Sequence, residues 1–288
     1  MVAALRLLVV EGNTADARAQ QAAISGSTAS ESYAGVLRSL APDAAIDICF
    51  PADGTGIPGA RGLGDYDGVA ITGSALNLWK AEPASLCQVE LAREVFGARV
   101  PFFGSCWGLQ VACVAAAGEV RLNPKGREIG FARKITLTDA GRAHALHRGR
   151  PLAFDAPTVH SDVVALLPPD ITVTAGNAMA EVQAAEIRHQ GGVFWGVQYH
   201  PEYSLFDVAM TLRRYGSRLI DDGLFASVGD LEEHVGELLA LDRDPGRKGG
   251  AWRLGIDRDV LDAKARLTEL SNWINDCVRL EQSRRGRA

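Results

Sequence analysis

Two apolar rhythms run along the first two-thirds of the chain. Short continuous runs at Leu5–Val10, Ala45–Phe50, Asp67–Thr72 and Val100–Phe103 read as buried β-strands. Longer stretches between them carry apolar residues at helical spacing. Ser30–Leu40 sets Tyr33, Val36, Leu37 and Leu40 on one face, Pro83–Phe96 is a helix entered at proline, and Trp107–Ala117 follows the fourth strand. Strand and helix in alternation predict parallel strands joined by crossover helices.

From Glu119 to Trp195 the rhythm changes. Thr- and Val-rich runs at Phe131–Leu137, Thr158–His160, Ile171–Thr174, Ala180–Arg188 and Gly192–Val197 are broken by Gly and Pro. They predict antiparallel or mixed strands added to the core sheet. A helix is expected over Ser204–Leu219. After Asp221 the pattern is helical again, with Gly229–Leu241, a turn-rich connector at Asp244–Gly250, and Asp257–Leu280 as one helix. The last carries a single stripe of Val260, Leu261, Leu267, Leu270, Ile274 and Val278. The expected fold is α/β: an open, mostly parallel central sheet with flanking helices, a small antiparallel or mixed β part, and a helical C-terminal extension. The domain boundary falls between 1–221 and 222–288. The extension reads as a strap over core surface rather than an interface, because Trp252 and Trp273 are costly to leave in water.

Composition narrows the function classes. The chain has 288 residues and a net charge of −5, which argues against nucleic acid as a partner. No apolar run approaches the roughly 18 residues that cross a bilayer. The N-terminal run is short, is interrupted by Arg6 and leads into Glu11-Gly12-Asn13, so it reads as a first strand rather than a signal peptide. Five cysteines, Cys49, Cys87, Cys106, Cys113 and Cys277, are widely spaced with no C-x-x-C pair. That predicts a reduced, cytoplasmic protein without disulfides or a metal site. There is no G-x-x-x-x-G-K-[ST] phosphate loop, and no cofactor is expected.

Two segments carry candidate chemistry. Val100-Pro-Phe-Phe-Gly-Ser-Cys106-Trp-Gly-Leu-Gln110 is a strand, a small-residue turn, a thiol and a helix start. Helix N-terminal amides stabilise a thiolate, the nucleophilic form of cysteine. Gly104 and Gly108 suit a strained strand-to-helix turn. The Trp107 amide and one from the Thr72-Gly73-Ser74 turn would hold an oxyanion at the same sheet edge. Downstream, His200 ends an apolar strand before Pro201, and Glu202 is placed to orient it. Cys49, Cys87, Cys113 and Cys277 read as ordinary small buried residues, and His144, His147, His189 and His234 as structural or solvated. By spacing alone, a cysteine hydrolase or transferase and an inert thiol both stay open.

Gly104-Ser-Cys106-Trp-Gly108-Leu-Gln110 resembles the G-x-C-x-G-x-Q nucleophile motif of class I (triad-type) glutamine amidotransferases. Tyr199-His200-Pro201-Glu202 resembles their His-Pro-Glu segment. Asp67–Ser74 is similar to the family's oxyanion strand. Arg127-Glu-Ile-Gly130 and His160-Ser-Asp162 are similar to stretches of the GMP synthetase branch. The resemblance covers about Leu5 to Leu219, so that 1–221 reads as the amidotransferase domain. It implies that Cys106 attacks a γ-carboxamide to form a γ-glutamyl thioester, with His200 as base and then acid and Glu202 orienting it. It further implies backbone amides of Gly73 and Trp107 as the oxyanion hole, and Gln110 at the substrate's α-amino-acid end. Thr72-Gly73-Ser74 departs from the usual Gly-Gly-Pro, which puts the loop's shape in question. Trp107 stands where a smaller aliphatic residue or Tyr is common, and its indole is expected to narrow the pocket or shape an acceptor site. No synthase domain follows. The implied activity is glutamine hydrolysis to glutamate and ammonia, for a separate ammonia-accepting synthase or for release. The alternatives are a γ-glutamyl amide or peptide hydrolase with the same triad, and an inactive binding relative. Oligomeric state stays open.

Overall fold

The computed structural model describes residues 4–58 and 62–286. Nine strands form the main sheet: β1 Arg6–Val10, β2 Ala45–Cys49, β3 Gly68–Ile71, β4 Phe102–Ser105, and, beyond the two-stranded pair of β5 Glu119–Leu122 and β8 Asp162–Leu166, β6 Glu128–Leu137, β7 Ala153–His160, β9 Ile171–Gly176, β10 Ala184–His189 and β11 Gly192–Val197. Their order is β2-β1-β3-β4-β11-β10-β9-β6-β7. The first five are parallel neighbours and the remainder pair antiparallel. The expected open, mostly parallel sheet with an antiparallel extension is therefore observed. The β5–β8 pair was not expected from the pattern; both strands are short and largely solvated, with Leu122 and Leu166 exposed.

Side-chain alternation along β1 divides the core. Leu8 and Val10 point to the face covered by α3 (Pro83–Gly97) and α4 (Trp107–Ala115). Leu7 and Val9 point to the other face, against Tyr33 and Leu37 of α2 (Ala29–Leu40). One further helix, α1 (Ala15–Ser25), escaped the pattern because it buries no residue and so has no apolar stripe. It forms on its caps: the Thr14 hydroxyl accepts from Ala17 N–H, and Gly26 closes it in the left-handed conformation.

The short α5 (Asp139–Ala143) precedes β7. After β11 come α6 (Leu205–Arg214), α7 (Gly216–Asp221) and α8 (Val228–Arg243). The expected helix 204–219 is thus broken at Tyr215, a break that matters below. The connector at 244–250 turns helical from Lys248. The single helix expected over 257–280 is broken into short pieces. Asp257 and Asp262 each cap a new turn by accepting the amide two residues on, which competes with continued helix. The stripe still does its work. Leu270, Trp273, Ile274 and Val278 join the core of β1, β3 and β4. Removing the fully buried Trp273 side chain would cost about 3–5 kcal/mol. Trp252 behaves otherwise: it is 82% exposed, so the strap argument holds for Trp273 and not for Trp252. A second interaction pins the strap. Arg150 donates twice to Glu269 at 2.7 Å, and His147 lies 3.4 Å from the same carboxylate, all of it buried. No helix is long and apolar enough to cross a membrane among the described residues.

Candidate active site

Strands β3, β4 and β11 are adjacent and parallel, so their C-terminal ends deliver Gly73, Cys106 and His200 to one edge of the sheet. Cys106 has φ 52° and ψ −96°, a conformation a residue with a side chain adopts only when its surroundings impose it. Here they do. Its N–H donates to Val197 O at 2.7 Å. A Cβ on Gly104 would lie 2.5 Å from the Gly108 carbonyl carbon, and one on Gly108 would lie 2.7 Å from Ile71 O. Two bare positions let helix and strands meet closely enough to force the elbow.

His200 is buried. Its Nδ1 lies 2.7 Å from Glu202 Oε1. The other Glu202 oxygen accepts from Ser105 Oγ at 2.8 Å, and Ser105 Oγ lies 3.1 Å from the Tyr33 hydroxyl. Tyr203 stacks on the imidazole at 4.1 Å, with 15° between the planes. The His200 Nε2 has no partner in hydrogen-bond geometry. The neighbouring Cys106 sulfur lies 3.4 Å from Val159 O, to which its thiol donates. Burial works against charge on His200. The negative charge and hydrogen bond of Glu202, with the adjoining Cys106 sulfur, outweigh it and raise the imidazole to about 10. A buried carboxylate, an imidazole held in one orientation and a thiol at an elbow can generate a thiolate and hand its proton to a leaving group.

Neither the Gly73 nor the Trp107 N–H donates to an acceptor among the described residues. The loop that carries Gly73 keeps its shape without proline. Ser74 Oγ donates to Gly12 O at 2.8 Å, Thr72 Oγ1 accepts Gly12 N–H at 2.9 Å, and Ala75 N–H donates to Asn13 Oδ1 at 2.9 Å. A Cβ on Gly12 would come within 2.7 Å of Gly73 O, so the two loops are mutually fitted. The Trp107 indole neither narrows the pocket nor shapes an acceptor site, contrary to expectation. It is buried, donates to Gln88 Oε1 at 2.7 Å and packs beneath Gly12. It turns inward because helix α4 places its side chain over the core.

Cys106 borders two kinds of space. One is a cavity of about 380 Å³ whose walls include Gln110, Asn77, Arg127, Asp162 and Tyr215. Gln110 Nε2 donates to Asp162 O at 3.1 Å and Gln198 Oε1 at 3.2 Å. Asp162 accepts from Asn77 at 2.8 Å. The Arg127 guanidinium stacks over Tyr215 at 5.0 Å, and its buried Nε has no partner. The other space is a narrow pocket of about 40 Å³ that touches Gly73, Cys106 and His200 together. Among the described residues, no group of three or more His, Cys, Asp or Glu side chains is arranged to hold a metal.

All six residues singled out from sequence thus stand at this edge. The sequence reading missed Ser105, Tyr33, Tyr203, Tyr215 and the side chain of Arg127. Ser105 and Tyr203 adjoin flagged residues, and Arg127 opened a recognised stretch, so adjacency was the available signal. Nothing local marks Tyr33. The other cysteines and histidines lie elsewhere. Burial pushes Cys49, Cys113 and Cys277 up to about 12 and raises Cys87, which leaves them poor nucleophiles. His144, His147, His189 and His234 line neither space around Cys106.

Comparison with known proteins gives this edge a family. The family model described as glutamine amidotransferase class-I matches residues 62–212. A γ-glutamyl-L-1-hydroxyisopropylamide hydrolase from a Pseudomonas species is 36% identical over 284 residues, covering 95% of this chain and 93% of its own. The glutamine-hydrolysing GMP synthase of Aeromonas hydrophila is 32% identical over 135 residues; the match covers 44% of this chain and 24% of that protein. The crystal structure of a glutamine amidotransferase from Thermotoga maritima shares the fold, with a TM-score of 0.66 and 16% identity over 96% of this chain and 99% of that one. The chain belongs to the class-I glutamine amidotransferase family and is an enzyme of that amide-hydrolysing family.

Proposed function

We propose that this enzyme hydrolyses γ-glutamyl amides, with glutamine as the simplest, through a thioester on Cys106. The observation that carries the reading is the imidazole of His200, held through Nδ1 by Glu202 and open at Nε2 beside the Cys106 sulfur. His200 carries the proton given up by Cys106, so that sulfur bonds to the side-chain carbonyl carbon as the thiolate of a thiolate–imidazolium pair. The amides of Gly73 and Trp107 stabilise the resulting oxyanion. His200 then protonates the nitrogen, the C–N bond breaks, and the amine departs. Water, deprotonated by His200, cleaves the thioester to give glutamate and restore the thiol. Gln110 and Arg127 hold the α-amino-acid end, Arg127 through the α-carboxylate.

Two readings differ in where the nitrogen goes. We favour release of a free amine, because the relative named for a γ-glutamyl alkylamide matches nearly the whole chain, which necessarily includes most of 222–288. The GMP synthase match favours instead ammonia made for a separate synthase, but it spans about a quarter of that protein. A panel on the purified chain decides between them. Glutamate release would be measured from glutamine, γ-glutamyl alkylamides and γ-glutamyl amino acids. Higher kcat/KM on substituted amides is expected. Turnover of glutamine alone, rising on addition of a synthase, would reverse the choice.

A further inference from the structure

Two guanidiniums face one ring at this site. Arg127 lies over Tyr215 at 5.0 Å and Arg214 lies at 5.9 Å from the same ring. Tyr215 sits at the break between α6 and α7 and lines both the large cavity and the narrow pocket. Arg127 belongs to the first space and Arg214 to the second. Apart from the Tyr215 contact, the Arg214 side chain has no hydrogen bond or ion pair among the described residues.

The chemistry fixes which space takes which end of the substrate. The departing nitrogen must reach His200, which protonates it, while the carbonyl oxygen lies against Gly73. Only the narrow pocket is walled by Gly73, Cys106 and His200 together; the large cavity meets Cys106 without His200. The γ-glutamyl group therefore occupies the large cavity, and the amine enters the narrow one. That pocket is also walled by Tyr203, Thr211 and Arg214. A second pocket of about 40 Å³ continues it, sharing Gly73, Tyr203, Thr211 and Arg214. Each holds roughly three waters, so the amine is small. Apart from His200, Arg214 is the only charged side chain on the narrow pocket among the described residues. The carboxylates that line its continuation are already engaged, Glu202 by His200 and Ser105 and Asp207 by Ser204.

We infer that Arg214 binds a carboxylate on the leaving amine, so that the substrates are γ-glutamyl derivatives of small amino acids, anionic at both ends. Arg127 takes the α-carboxylate and Arg214 the distal one, with Tyr215 between them. The inference rests on the γ-glutamyl amide reading above and deepens it. It also accounts for an unpaired guanidinium on the wall of a site in a chain of net charge −5. A charge-assisted pair of this kind is about twice as strong as a neutral hydrogen bond, enough to separate a carboxylate from a hydroxyl.

A matched pair of substrates tests it. γ-Glutamyl-L-alanine and γ-glutamyl-L-1-hydroxyisopropylamide differ only in a carboxylate against a hydroxymethyl group. Wild type is expected to favour the alanine amide in kcat/KM by roughly tenfold or more. In Arg214→Gln the ratio falls toward one, chiefly through KM for the alanine amide. In Arg214→Glu it inverts, and measurable turnover of the hydroxylated amide shows that this variant is folded. Because Arg214 also lies in the last turn of α6, where a positive charge favours the helix dipole, any loss of stability would lower both rates and leave the ratio alone. A wild-type ratio at or below one, or a ratio unmoved by Arg214→Gln, overturns the inference while the amide-hydrolase reading stands. No glutamate from either substrate or from glutamine overturns both.

Discussion

Two of the buried histidine–glutamate pairs in this molecule have opposite fates. His147 and Glu269 lie 3.4 Å apart; His200 and Glu202 lie 2.7 Å apart. Around the first, both imidazole nitrogens and both carboxylate oxygens are engaged: His147 Nδ1 meets Glu269, His147 Nε2 meets Thr174 Oγ1 at 2.9 Å, and Arg150 grips both Glu269 oxygens. It faces no cavity around Cys106 and fastens the strap to the sheet. Around the second, the glutamate is equally well satisfied, but one imidazole nitrogen is left without a partner, beside a sulfur and next to open space. The same two residue types make a rivet in one place and a base in the other. The difference is what the surroundings leave unsatisfied, and not burial, which they share.

That contrast can be broken experimentally. The largest effect is expected at Glu202. Glu202→Gln should lower kcat by about a hundredfold or more, with thermal stability little changed. It should also move the pH profile. Because the negative charge of Glu202 helps raise His200 to about 10, the imidazolium that protonates the amine persists into alkaline solution and is lost as pH rises through that value. Without the charge the alkaline limb should shift to lower pH. An unshifted limb would remove Glu202 from this role.

Glu269→Gln should do the reverse: about 3–5 kcal/mol of stability lost, because Arg150 is left buried and unpaired, with kcat per folded molecule retained. Burial opposes the Glu269 charge, yet Arg150 and His147 hold its carboxyl down at about 2. A depressed carboxylate contributes stability that is present above its ordinary value near 4.5 and is lost as pH falls toward 2. Wild-type denaturant midpoints should therefore fall across that window, and those of Glu269→Gln should fall less. Equal slopes would contradict the assignment of this pair as the acid-sensitive fastening.

Smaller effects are expected from the support behind Glu202. Ser105→Ala leaves a buried carboxylate oxygen without its donor and should cost about tenfold in kcat, with the alkaline limb displaced. Tyr33→Phe, one bond further out, should cost a few-fold. If both lower stability but leave kcat and the pH profile alone, Ser105 and Tyr33 only pack.

Much of this site was legible because its chemistry is local in sequence. The elbow needs bare positions at 104 and 108, and the base and its carboxylate sit two residues apart. The parallel-sheet pattern then says that their strands end together. What the pattern does not carry is the company these residues keep. Tyr33 reaches Ser105 across 72 residues of chain, and Arg150 reaches Glu269 across 119. The stripe on 257–280 correctly marked a buried face, but periodicity records which residues are buried, not whether aspartate caps interrupt the helix. Helix α1, which has no buried residue, left no periodic trace although Gln21 and Ile24 border the pockets. The indole of Trp107 was legible as an anomaly, yet its destination beneath Gly12 depends on a loop elsewhere in the chain.

The central claim is that the open valence of His200 serves the Cys106 sulfur. The most direct measurement is rapid acid quenching during turnover of γ-glutamyl-L-alanine, followed by peptide mass analysis. The account predicts a hydroxylamine-labile γ-glutamyl adduct confined to the peptide bearing Cys106. It should be absent from Cys106→Ala, which releases no glutamate, and unaffected by Cys113→Ala. An adduct on another residue, or glutamate release by Cys106→Ala, would contradict it.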